Sequence, residues 1–227
     1  MDHERGFFSD HHIYRDLTIA LGLLLVLNPV INVVLGWSRI DQILTAAFLV
    51  FALFEITRRR SDLVIGLVLG LPAIAGGIFN AATPDTPLLN LGPVVLTASF
   101  IGFLVWRILG DVLSGSRETS EQICGAICAY LLIGFLFASI YGFVVLVDPG
   151  AFNVPEQLTA HVAGGGRSAS LLTYYSFVTM STLGYGDIVP VSNAARTLAW
   201  IQAVVGQLYL AIVIAALVGA HIGRRKA

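Results

Sequence analysis

Long apolar runs alternate with short polar breaks along most of this chain. A helix needs about 20 mainly apolar residues to cross a bilayer. Six segments reach or approach that length: Leu17–Trp37, Gln42–Thr57, Leu63–Ala82, Leu91–Gly110, Ile123–Val147 and Ala195–Ile222. The second is short, and its Glu55 precedes Arg58 and Arg59 by three and four residues, the spacing of a helical ion pair that snorkels to the interface. Asn28-Pro29 and Pro72 are expected to bend the first and third spans. One apolar run does not fit this series. Leu171–Val178 leads into Thr179–Asp187, which is too polar, glycine-rich and short to cross. Non-helical backbone at membrane depth survives only where protein buries it or where it lines water. A loop that dips in between the fifth and sixth spans therefore lines something.

The flanking segments suggest how such a loop is held. Ser168 or Ser170 is a candidate N-cap for a short helix running inward to about Thr179. The C-terminal dipole end of that helix would favour a cation in the space beyond it. In the sixth span Gln207, Leu210, Ile214 and Val218 follow at steps of three, four and four, one face of a helix. Gly206 interrupts this helix, and a mid-helix glycine weakens it by about 1 kcal/mol relative to alanine. Two readings of Gly206 stay open, a hinge and a site of close helix packing.

Composition agrees with an all-α polytopic membrane protein. Of 227 residues, 56% are hydrophobic and only 12% charged, and the mean hydropathy is +0.83, where a soluble domain carries about 25% charged residues. The net charge of −1 gives no footprint for nucleic acid. The tail Met1–Asp16 lacks the basic start and small-residue cleavage site of a signal peptide. Its His3, His11 and His12 read as a solvated tail rather than a metal site. Cys124 and Cys128, four apart on a helix, read as small packing residues and not as a disulfide. With the N-terminus inside, the inner segments hold Arg5, Arg15, Arg58, Arg59, Arg60, Arg107, Arg117, Arg224, Arg225 and Lys226, and the outer side holds Arg39, Arg167 and Arg196. That asymmetry predicts both termini in the cytosol, with the loop opening outward.

Thr182-Leu183-Gly184-Tyr185-Gly186 suggests what the loop lines. A cation sheds its water only if oxygens at suitable distances replace it, and consecutive carbonyls from several copies of one loop can do so. Aiming those carbonyls one way needs backbone angles that glycine adopts cheaply. The run resembles the potassium-channel signature, with Leu183 where valine is usual, and Tyr174-Tyr175-Ser176-Phe177-Val178-Thr179-Met180 resembles the pore-helix pattern that precedes it. The resemblance implies K+ bound at Thr182, Leu183, Gly184 and Tyr185, with Gly186 completing the filter. Tyr174, Tyr175, Val178, Thr179 and Asp187 would brace the filter and its outer mouth. Val178 stands where some relatives carry glutamate. Gln207, Leu210, Ile214 and Val218 would face the cavity and gate, with Gly206 at the hinge position of the family.

One loop cannot encircle an ion, so the resemblance implies a homotetramer with cyclic symmetry. The expected architecture is six transmembrane helices with a re-entrant pore helix and filter loop. Residues 1–16 form a cytosolic tail, 17–118 a four-helix sensor-like bundle, and 119–227 the pore domain. The fourth span carries only Arg107, where a voltage sensor moves several charges, each contributing about 2.3 kcal/mol per 100 mV. The expectation is a K+-selective, passive channel of the cell membrane that is not steeply voltage-gated. It would use no cofactor, contact membrane lipid and bind no nucleic acid. A nonselective cation channel and, further off, a coupled carrier are the alternatives. An enzyme would need converging acids, histidines or metal ligands within the spans, and the sequence has no such cluster. The linker from Asp148 to Arg167, with Gly164-Gly165-Gly166, is expected to be mobile, and His161 and His221 are candidate but weak pH sensors. With few residues after the sixth span, the expectation is that no nucleotide- or calcium-binding domain follows it and that gating is intrinsic or comes from separate partners.

Overall fold

A computed structural model describes residues 13–35, 47–48, 50–52, 60–82, 87–114, 119–155 and 167–225. Its principal helices are α1 (Ile13–Leu35), α2 (Arg60–Ala82), α3 (Pro87–Leu113), α4 (Thr119–Val147), α5 (Arg167–Met180) and α6 (Asn193–Arg225). These coincide with five of the six expected spans and with the short helix before the loop. The remaining span, Gln42–Thr57, lies mostly outside the described residues, as does the Glu55–Arg58 pair. Residues 47–48 and 50–52 of it are helical. Among the described residues three helical stretches are long and apolar enough to cross a membrane: Asn90–Leu113, Ser120–Val147 and Asn193–Val213. The fold is that of an all-α membrane protein.

α4 is the axis of the molecule, packing against α1, α3, α5 and α6, while α2 lies on α3. Its sequence explains the position, because apolar residues cover it all round rather than on one stripe. Leu132, Cys128, Ala129 and Tyr141 are fully buried along it. Two glycines set close helix approaches. A Cβ on Gly76 of α2 would stand 2.5 Å from the Pro93 side chain of α3, and one on Gly134 of α4 would stand 2.6 Å from the Phe177 ring of α5. Cys128 is buried, Cys124 is half-buried, and both are free thiols.

Polar contacts tie the start of α1 to the start of α4 and the end of α3. The Tyr14 N–H, in the first turn of α1 and so without an acceptor in its own helix, donates to Glu121 Oε2 at 2.9 Å. The Tyr14 hydroxyl donates to Asp111 Oδ2 at 2.8 Å, and Thr18 Oγ1 to the Cys124 carbonyl at 2.8 Å.

Two local expectations need correction. α5 begins at Arg167, so Ser168 and Ser170 lie inside its first turns and neither is its N-cap. The cap that is present belongs to α6, where Ser192 Oγ accepts from the Ala195 N–H at 3.1 Å. The linker after α4 is also anchored over its first residues. Phe152–Asn153 (β1) pairs antiparallel with Val189–Pro190 (β2), and the Val191 N–H donates to the Ala151 carbonyl at 2.8 Å. Residues 156–166, including His161, lie outside the described residues, as do the N-terminal histidines and the side chain of His221.

Candidate functional site

The loop between α5 and α6 departs from ordinary backbone at alternate residues. Thr182 has φ 58°, Gly184 φ 58° and Gly186 φ 78°, while Leu183 and Tyr185 between them stay at negative φ. Alternating left-handed with ordinary residues turns successive peptide planes so that their carbonyls can share one side. Glycine pays little for this, but Thr182 is β-branched and is the one non-glycine residue at positive φ among the described residues. Its hydroxyl donates to the Ser181 carbonyl at 2.7 Å. All residues from Ser181 to Gly186 are exposed in the single chain, Tyr185 by 67% and Leu183 by 54%. Within one chain, therefore, neither side chain is wedged against a surround.

The inner end of the loop hangs from the last turn of α5. The Val178 carbonyl accepts from the N–H groups of Leu183 (3.0 Å) and Gly184 (3.3 Å), and the Thr179 carbonyl accepts from Thr182 (3.0 Å). These carbonyls have no partner within their own helix, so the helix end and the loop satisfy each other. Val178 thus acts through its backbone, with its side chain buried.

The two tyrosines of the pair point to different partners. Tyr174 donates its hydroxyl to Asp187 Oδ2 at 2.6 Å, bridging α5 to the outer end of the loop. That bond holds the Asp187 carboxyl below its usual value and pushes the Tyr174 phenol up to about 12. Asp187 Oδ1 accepts from the Ile188 N–H at 3.0 Å. Tyr175 is buried and turns toward the outer wall. Its ring lies 5.1 Å from Tyr141 and 5.0 Å from Phe152, and those two are 5.6 Å apart, all edge-to-face, a geometry worth about 0.5–1.5 kcal/mol per pair.

On α6, Gln207 is exposed beneath the loop, with Nε2 3.5 Å from Thr182 Oγ1. Leu210 is also exposed. The backbone of Ile214 and Val218 continues the same helix, and their side chains lie outside the described residues. Gly206 faces the other way. A Cβ there would meet the Met180 carbonyl oxygen at 2.5 Å, so the observed geometry is close packing on an unbroken helix.

Sequence reasoning missed a buried polar centre behind the loop. Gln202 and Ser176 are fully buried. Tyr141 donates to Gln202 Oε1 at 2.6 Å, and Gln202 Nε2 donates to Ser176 Oγ at 2.6 Å and to its carbonyl at 3.1 Å. Ser176 Oγ in turn donates to the Gly134 carbonyl at 2.6 Å. A glutamine inside an apolar span was the available signal.

Comparison with known proteins bears on this segment. Residues 125–221 match a family model described as ion channel. This segment is similar to ion-channel proteins. The chain is also 37% identical over 100 residues to the voltage-gated potassium channel Kch of Escherichia coli. That similarity covers 42% of this chain and 21% of the relative's length. No solved structure matches the chain. The ion-channel match spans most of α4, all of β1, α5 and the loop, and α6 as far as residue 221, so the geometry described above lies within it.

Proposed function

We propose that the chain is a subunit of a potassium-selective channel, in which four copies bring their Thr182–Gly186 loops around one axis. The observation that carries this reading is the alternation of positive φ at Thr182, Gly184 and Gly186. It supports a column of backbone oxygens able to replace the water of a dehydrated ion. The exposure of Leu183 and Tyr185 in the single chain fits side chains awaiting a neighbouring subunit. K+ would sit at Thr182, Leu183, Gly184 and Tyr185, and the negative end of the α5 dipole would favour it in the cavity below. Gln207 would be the polar element of that cavity and Leu210, Ile214 and Val218 its apolar wall.

Residues 119–227 would be the pore unit and 17–118 a scaffold around it. Arg107 is the single arginine of the fourth span, so little charge is available to move with voltage. Gating is therefore not steeply voltage-dependent in this reading. The arginine asymmetry supports both termini in the cytosol, and the subunit would sit in the plasma membrane.

The test is electrical recording from the purified, reconstituted protein with potassium on one side and sodium on the other. A reversal potential close to the potassium equilibrium value is expected. Reversal near zero would assign a nonselective cation channel, and saturating flux that follows a second ion would assign a carrier.

A further inference from the structure

The amide of Gln202 occupies an unusual place. It is fully buried on α6, yet every polar atom of its side chain is used, and its partners come from two other helices. Tyr141 of α4 supplies the donor for Oε1, while Nε2 is spent on both the hydroxyl and the carbonyl of Ser176 on α5. The chain of bonds closes on the Gly134 carbonyl, again on α4. Outer helix, pore helix and inner helix are thereby pinned at one point. Ser176 lies immediately before the turn whose Val178 and Thr179 carbonyls hold the N–H groups of Thr182, Leu183 and Gly184. Two short steps thus lead from the Gln202 amide to the backbone of the ion-binding loop.

We propose that Gln202 is a positioning residue for ion discrimination, setting the height of the α5 end and with it the spacing of the loop carbonyls. It rests on the potassium-channel reading given above. A buried amide costs free energy unless every donor and acceptor is satisfied. Partial satisfaction is worse than an apolar site, so the network has one low-energy arrangement. An apolar residue of similar length would fill the volume but leave the Tyr141 hydroxyl and Ser176 without their partner. The α5 end would then settle wherever packing allowed. Nothing in the network touches the permeating ion, so its influence on selectivity is wholly through backbone position.

The experiment compares potassium-to-sodium permeability ratios, from reversal potentials, for the reconstituted wild type, Gln202→Met, Ser176→Ala and Tyr141→Phe. Gln202→Met is expected to lower the ratio about tenfold, the scale set by stranding buried polar partners. Tyr141→Phe, which leaves both contacts on Ser176, is expected to lower it less. The double variant Gln202→Met with Ser176→Ala should fall short of the sum of the single effects, because both remove one contact. A wild-type ratio in an assembled Gln202→Met channel would overturn the proposal, since a packing role alone lowers yield and melting temperature without moving the ratio. Should Gln202→Met fail to assemble, Ser176→Ala decides in the same way. A wild type without selectivity would instead overturn the potassium reading itself.

Discussion

The carbonyl oxygen of Met180 lies 2.5 Å from the point where a side chain on Gly206 would begin. The last residue of α5 therefore rests on bare α6 backbone, and no larger residue fits without displacing it. Gly206→Ala gains about 1 kcal/mol of helix propensity but incurs the cost of overpacking, about 1–3 kcal/mol. The net expectation is a less stable assembly, read as a lower melting temperature. A glycine serving only as a hinge would give the opposite sign.

On the proposed channel reading, the Tyr174–Asp187 bond predicts how the outer end of the loop responds to acid. Both residues lie outside the membrane-crossing helices. Asp187 is held below its usual value, chiefly by the Tyr174 hydroxyl and against a smaller effect of burial. Its contribution is present above the ordinary carboxyl range and is lost as pH falls through the lowered value. Tyr174 contributes fully below its ordinary value and loses its part as pH rises through about 12. Tyr174→Phe removes the main cause of the Asp187 shift, so acid sensitivity should begin at a higher external pH. Current recorded against external pH checks this; an unchanged acid midpoint would count against the bond.

Gly184 and Gly186 have φ of 58° and 78°, and a Cβ at either would meet nothing within 4 Å in the chain. The cost of Gly184→Ala or Gly186→Ala within a subunit is then one of backbone handedness, about 1–2 kcal/mol per residue. Conduction should fall sharply for the L-alanine variants. A semisynthetic chain carrying D-alanine, whose preferred φ is positive, should retain it. Equal loss for both mirror forms would show that space, and not handedness, is what the glycines supply.

Glu121 bonds the first turn of α1 from more than a hundred residues away in sequence. The carboxylate is nearly buried and faces a helix N-terminus, where the dipole favours negative charge. Glu121→Ala should cost about 1.5–3 kcal/mol, the range for hydrogen bonds to charged groups. Glu121→Gln, which keeps an acceptor, should cost less. Thermal unfolding of the two variants side by side makes the comparison.

Much of the architecture is visible in the sequence because it depends on local properties. Apolar length marks α1, α2, α3, α4 and α6. The glycines at alternate loop positions announce the backbone angles that the structure contains. The positive φ of Thr182 has no such local signal, since a β-branched residue rarely adopts that angle. Ser168 and Ser170, the expected caps of α5, lie inside its first turns. The choice depended on where the first turn began, and such boundaries shift by a residue or two.

Gln202 marks the limit of such reading. It lies about 140° around the helix from Gln207, so the two glutamines of α6 face opposite environments. One is exposed under the loop, and the other is buried among Tyr141 and Ser176. Residue type and helical period separate the two faces but do not say which is buried. That follows from contacts across 61 and 26 residues of sequence, which exist only once three helices have packed. By itself the sequence determined five of the six expected spans, the loop and its glycines, since each reflects solvation or backbone freedom of a short segment. Tertiary structure alone decided the pairing of Tyr174 with Asp187, the seating of Met180 on Gly206 and the burial of Gln202. Those depend on the approach of distant backbones, which no local pattern encodes.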